Sequence, residues 1–355
     1  MNLDDFSHFK DLDPQDMLAC MDGLPGQLET AWDLGQRLPL PAWEGIQRVV
    51  IAGMGGSAIG ADLVSAAVME ACPAPLIVHR DYGLPAFASG PATLVVCSSH
   101  SGNTEETLDS FEQALERGCR ILAVCTGGEL AEKAGAAGAP VWQFDHQGQP
   151  RTAVGFSFGL LLGALARLGL GPDAGAEVAE AVAAMRSQQE TIRAGVPIVQ
   201  NPAKRMAGQL MGRWVTVFGA GVLAPVARRW KGQVNEIAKA GANFEFIPEA
   251  DHNTLAGLQH PEAMLTAQAM TLFLRAPCDH PRNRLRLDMT RQAYMLEGMN
   301  VDGYTAQGSS PIANIWTTLH FGDYVAYYLA MAYEVDPTPV NALESFKKAL
   351  KGVEA

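Results

Sequence analysis

Basic residues are scarce in this chain of 355 residues: 26 Lys and Arg stand against 38 Asp and Glu, a formal net charge of -12 at pH 7. That balance excludes general nucleic-acid binding, because neutralising phosphates and releasing counterions needs a basic surplus; only a local basic pocket stays open. Cysteine is sparse too, with six residues at 20, 72, 97, 119, 125 and 278 and no C-x-x-C pair. Cys97 and Cys125 fall in apolar runs, and a reduced, cytoplasmic protein is expected. No basic-then-apolar leader opens the sequence, which starts MNLDDFSHFKDLD, so export is not expected. Nor is there an unbroken hydrophobic run of membrane length. The greasiest stretch, residues 154–170, is rich in Gly, contains Ser157 and is interrupted by Arg167, which reads as a helix buried inside protein. No compact His/Cys/Asp/Glu cluster of the zinc or metal-isomerase type is present, and neither a metal nor a cofactor is expected.

What is there is a globular composition, 48% hydrophobic against 18% charged, and a length that suits two domains. Residues 12–37 carry apolar positions at helical spacing, and a Pro-containing stretch at 38–43 ends them. Short apolar runs at 49–52, 76–79, 94–97, 121–125 and 141–144 then alternate with helical segments. The stretch 152–196 reads as two helices broken at 169–172. Further strands are expected at 214–218, 244–247 and 270–274, with helices at 223–239, 282–296, 312–333 and 341–350. Buried strands alternating with helices predict an α/β protein with parallel sheets covered on both faces. The expected divisions are a helical lead-in (1–47), a first domain (48–170), a connecting helix (171–200), a second domain (201–335) and a C-terminal helix (336–355).

Each predicted domain opens with a strand, a Gly-x-Gly turn and a helix: VVIAGMGGSAIGADLV and VTVFGAGVLAPVARRW. One shared turn is weak support for duplication. Such turns let backbone N–H groups approach an anion at a helix N-terminus, so a bound phosphate is a better inference than a nucleotide. A nicotinamide site also wants an acid about 20 residues on, and the second strand ends His79-Arg80-Asp81, later than that spacing asks. After the strand at 94–97 comes SSHSGNTEET, with hydroxyls at 99, 101 and 104 around a glycine before a helix. A helix cap needs one hydroxyl; three converging hydroxyls suit a phosphate dianion.

GMGGSAIGADL with SSHSGNTEETL closely resembles the sugar isomerase (SIS) domain. The further segments PRTAVG (150–155), KGQVNEIAKAGAN (231–243), PEADHNTLAG (248–257), GDYVAYYLA (322–330) and VDPTPV (335–340) resemble the bifunctional phosphoglucose/phosphomannose isomerase family. The resemblance spans nearly the whole chain in the right order and implies two tandem SIS domains, each a flavodoxin-like parallel sheet flanked by helices, in a homodimer. It also implies interconversion of glucose 6-phosphate or mannose 6-phosphate with fructose 6-phosphate. His100 departs from the family, which usually has Tyr there.

Aldose–ketose interconversion requires ring opening and then a proton shuttle between C1 and C2 through a cis-enediol(ate), with positive charge beside the developing oxyanion. By resemblance Glu236 is the shuttling base, Arg151 stabilises the enediolate, and His252 acts in ring opening from across the dimer interface. Lys347 is matched to the family's C-terminal catalytic lysine in preference to the adjacent Lys348. Phosphate binding carries over to Gly56, Ser57, Ser99, Ser101 and Thr104. Outside the resemblance, Glu236 would read as a helix carboxylate pairing with Lys231 or Lys239. The competing reading is a non-catalytic SIS protein that binds a sugar phosphate as a signal, although no basic helix-turn-helix accompanies it. A glucosamine-6-phosphate synthase-like isomerase and a dehydrogenase come after that.

Overall fold

The computed structural model describes residues 2–351. The lead-in is three helices, α1 (Phe6–Leu12), α2 (Met17–Asp22) and α3 (Leu24–Arg37). The first alternating set is β1 (Arg48–Ala52), α4 (Gly55–Val68), β2 (Leu76–His79), β3 (Thr93–Ser99), α5 (Glu105–Glu116), β4 (Arg120–Cys125), α6 (Gly128–Ala136) and β5 (Val141–Gln143). Helices α7 (Val154–Arg167), α8 (Gly175–Ile192) and α9 (Pro202–Leu210) follow. The second set is β6 (Trp214–Ala220), α10 (Ala224–Glu236), β7 (Ala242–Ile247), β8 (Ala269–Arg275), α11 (Pro281–Leu296), β9 (Val301–Thr305), α12 (Pro311–Ala332) and α13 (Asn341–Lys351).

Both sheets are wholly parallel, with orders β2-β1-β3-β4-β5 and β7-β6-β8-β9. The second repeats the first four strands of the first, so each sheet has its order reversal beside the strand that feeds a Gly-x-Gly turn. Ligands in open α/β sheets bind at the carboxyl ends of strands at such a reversal. Strand β9 escapes the sequence pattern because Asp302 and Gly303 are poor strand formers. Gly303 is nonetheless fitted to its place, since a Cβ there would collide with the Phe273 carbonyl oxygen.

A continuous apolar core joins the two sheets through α3, α7, α8 and α12. In α12 every residue from Ile312 to Ala332 is buried, and in α7 every residue from Val154 to Leu165 is. The glycines of α7 permit close crossing with α3: a Cβ on Gly163 would lie 3.0 Å from the Gly35 Cα. Among the described residues no helix is long and apolar enough to cross a membrane.

Candidate active site

The phosphate-type cradle forms where β1 and β3 end. Strand β3 runs two residues beyond its sequence-predicted end, which puts Ser99, only 2% exposed, on its last position. The Ser99 Oγ accepts from the Gly102 N–H at 3.1 Å and shares a 2.8 Å hydrogen bond with the Thr104 hydroxyl. Ser57, in the first turn of α4, accepts from the His100 N–H at 3.1 Å. Ser101 is exposed on the same loop and accepts from the Asn103 N–H at 3.2 Å. Neither α4 nor α5 has a side-chain cap: Thr104 directs its hydroxyl to Ser99, and Asn103 caps the neighbouring α6 by accepting from Glu129 N–H at 3.0 Å. Two helix N-termini and several hydroxyls therefore meet at one place, which suits a dianion.

Gly56 ties this cradle to the next element. A Cβ there would stand 2.6 Å from the Pro150 carbonyl oxygen and 3.3 Å from the Arg151 nitrogen, so only glycine lets the 3-10 turn Pro150–Thr152 seat against α4. Arg151, 4% exposed, donates from Nη2 to the carbonyls of Pro337 (2.9 Å) and Thr338 (2.5 Å), while its Nη1 faces the Glu236 Oε2 at 3.5 Å. Burial draws the Arg151 pKa down and the Glu236 charge opposes that shift. Glu236 is the last residue of α10, which stops three residues short of its expected end, and its side chain is 35% exposed. A carboxylate open to solvent beside a buried guanidinium can move a proton next to fixed positive charge.

Behind this pair lies a buried network absent from the sequence reading. Asp323 of α12 takes a bidentate pair from Arg229 at 3.2 and 2.6 Å and a bond from Gln233 Nε2 at 2.9 Å. Arg229 in turn donates to the Arg151 carbonyl at 3.1 Å. Burial raises the Asp323 pKa, and the Arg229 charge offsets that rise. The available signal was Asp323 itself, the one carboxylate in an otherwise greasy helix, which requires a buried partner. His100 also finds an unanticipated partner: its Nε2 and the His146 Nδ1 share a 2.9 Å hydrogen bond. Burial, reinforced by His146, lowers the His100 pKa to about 4.

The structure does not bring the remaining expected residues into this cluster. His252 is exposed, with no hydrogen bond to its side chain among the described residues, although its neighbours are fixed: Asp251 bonds Arg286 at 2.9 Å and Thr290 at 2.7 Å. Lys347 and Lys348 are both exposed on α13, where every residue from 341 to 350 is exposed. Among the described residues no group of three His, Cys, Asp or Glu is placed to hold a metal ion.

The second Gly-x-Gly turn has a different neighbour. The loop after β8 brings in Asp279, 5% exposed, whose Oδ1 lies 2.6 Å from where a Cβ on Gly221 would stand and has no partner among the described residues. Its Oδ2 accepts from the Ala276 N–H at 3.3 Å. A protein carboxylate stands here, where the first turn faces a hydroxyl loop.

Residues 199–350 match the model of the bacterial phospho-glucose isomerase C-terminal SIS domain. A bifunctional phosphoglucose/phosphomannose isomerase of Caldicellulosiruptor bescii is 36% identical over 340 residues, 95% of this chain and 100% of the relative. The protein of the same description from Aquifex aeolicus is 33% identical, covering 87% of this chain and 94% of its own length. Among solved structures, a hypothetical protein from Thermus thermophilus matches with a TM-score of 0.74 at 18% identity, over 97% of this chain and 91% of that one.

Proposed function

The chain belongs to the bifunctional phosphoglucose/phosphomannose isomerase family, and from that premise we propose that it interconverts glucose 6-phosphate and mannose 6-phosphate with fructose 6-phosphate. The observation that carries the assignment to this site is the Arg151–Glu236 pair: Gly56 lets the backbone of Pro150 and Arg151 pack against the start of α4, whose Ser57 accepts from the hydroxyl loop at His100. Ser57, Ser99, Ser101 and Thr104, with the turn at Gly56, hold the 6-phosphate. The sugar then extends toward Glu236, whose carboxylate takes the proton from C2 of the aldose and returns it to C1. Arg151 stabilises the oxyanion of the cis-enediolate. Because C2 is planar in that intermediate, reprotonation on either face gives either aldose, which accounts for one site serving both epimers.

In this reading the enzyme works in the cytoplasm as a homodimer of two tandem SIS domains, residues 48–170 and 201–335. The lead-in 1–47, the connector 171–200 and the C-terminal helix 336–355 flank them. His252 of the partner subunit assists ring opening, consistent with its exposure and with the fixed loop that carries it. Lys347 closes on the site from α13, in line with that helix lying open, with Leu343, Phe346 and Leu350 all exposed.

The test is to supply purified, EDTA-treated protein with each aldose phosphate separately and follow fructose 6-phosphate. Conversion of both is expected. Binding of both without conversion of either would favour a sugar-phosphate sensor instead.

A further inference from the structure

Three residues past Glu236 the chain turns sharply out of α10, and Lys239 adopts a left-handed backbone with φ +55°. That conformation is uncommon for a residue with a Cβ. Here it accompanies a folded-back side chain: the ammonium donates to the Glu236 carbonyl at 2.5 Å and to the Pro337 carbonyl at 3.3 Å. The same Pro337 oxygen receives Arg151 Nη2 at 2.9 Å. Two cations from distant parts of the chain thus converge on one carbonyl in the segment that leads into α13. The charged groups facing Lys239 are Glu236 from its own helix end, Arg151 from the 3-10 turn and Asp336 from the C-terminal segment.

We propose that Lys239 is a positioning residue for the isomerisation: with Arg151 it clamps the segment at Pro337 and Thr338 to the end of α10, fixing the Glu236 carboxylate against its substrate. The proposal rests on the reading of Glu236 as the proton shuttle. Its physical basis is that a charged donor holds a carbonyl more strongly than a neutral one, and that a small misplacement of a base is expensive in rate. Partial desolvation of this surface-exposed residue and the nearby Arg151 charge lower the Lys239 pKa to about 8, so the clamp is mostly charged near neutral pH and weakens as the pH rises through that region.

The experiment compares the full-length wild type with Lys239→Met and Lys239→Arg, measuring kcat and KM across pH and amide hydrogen exchange in peptides covering 334–342. Lys239→Met is expected to lower kcat by about ten- to a hundredfold near neutral pH, with KM changed by less than about threefold. It should also abolish the alkaline limb and speed exchange in 334–342. Lys239→Arg, which stays charged, should recover most of kcat, restore protection and carry the alkaline limb upward. Wild-type kcat in Lys239→Met overturns the proposal, as does a loss that Lys239→Arg does not rescue or that leaves exchange unchanged. If the wild type itself fails to isomerise, the reading of Glu236 falls separately. The exchange measurement still decides the clamp, because unaltered protection in Lys239→Met refutes it without reference to activity.

Discussion

Asp279→Asn replaces a buried carboxyl by an amide of nearly the same shape, so the charge is what changes. In the fold, burial pushes the Asp279 pKa from 3.8 up to about 6, against the opposing pull of the Ala276 N–H and the Arg284 charge. A raised carboxyl pKa means that the folded state holds the proton more tightly than the unfolded one. Stability therefore falls as the pH rises between about 4 and about 6 and stays low above that. At about 1.4 kcal/mol per pKa unit, the full penalty near neutral pH is about 3 kcal/mol. The amide removes that slope but brings an N–H group that lacks an acceptor, a cost of about 1–3 kcal/mol that does not vary with pH. The variant should be the more stable protein near pH 7 by up to about 2 kcal/mol and the less stable one near pH 4, with the gap between the two curves closing as the pH falls. Urea midpoints taken at one-unit intervals from pH 4 to 8 would show the gap closing. Curves that run parallel across that range would refute the burial penalty.

The other predictions concern the chemistry. Glu236→Gln should reduce kcat by about a thousandfold or more while calorimetric binding of fructose 6-phosphate changes little; near-normal turnover would remove Glu236 from the shuttle role. Ser99→Ala combined with Thr104→Ala should raise KM and weaken inhibition by inorganic phosphate by at least about tenfold, since hydrogen bonds to a charged group are lost; an unchanged phosphate inhibition constant would move the dianion elsewhere. Gly56→Ala must push the Pro150 carbonyl aside from a 2.6 Å approach, which should cost about 1–3 kcal/mol of stability and lower kcat by displacing Arg151. Full activity in that variant would show that the contact between α4 and the 3-10 turn does not set the position of Arg151.

Much of this was legible in the sequence because it depends on local pattern. Strands such as β2, β4 and β8 announce themselves as short apolar runs, and the hydroxyls of the β3–α5 loop exceed what a helix cap requires. Strand β9 was illegible because its place in the sheet comes from pairing with β8, while its own Asp and Gly argue against it. The end of α10 was misplaced by three residues, since the helical spacing continues through Lys239 but the backbone does not. Arg151 and Glu236 were recognised separately, yet their meeting depends on long-range packing, as does the Asp323 network behind them. Likewise, the two Gly-x-Gly turns look alike as text, and only the chain after β8 reveals that one of them faces a carboxylate.

Arg151 and the two carbonyls that hold its guanidinium are 186 and 187 positions apart in the chain. During synthesis residues 56–104 of the hydroxyl cradle are made early, whereas Arg151 has no final seat until residue 338 has been made and freed. At about 5–20 residues per second that interval lasts about 10–40 seconds. A nascent chain in this window has the residues of the hydroxyl loop but not the carbonyls that seat Arg151. The order in which the ribosome delivers the parts thus separates the loop from the arginine's seat in time, and the finished chain joins distant stretches of its sequence at a single side chain.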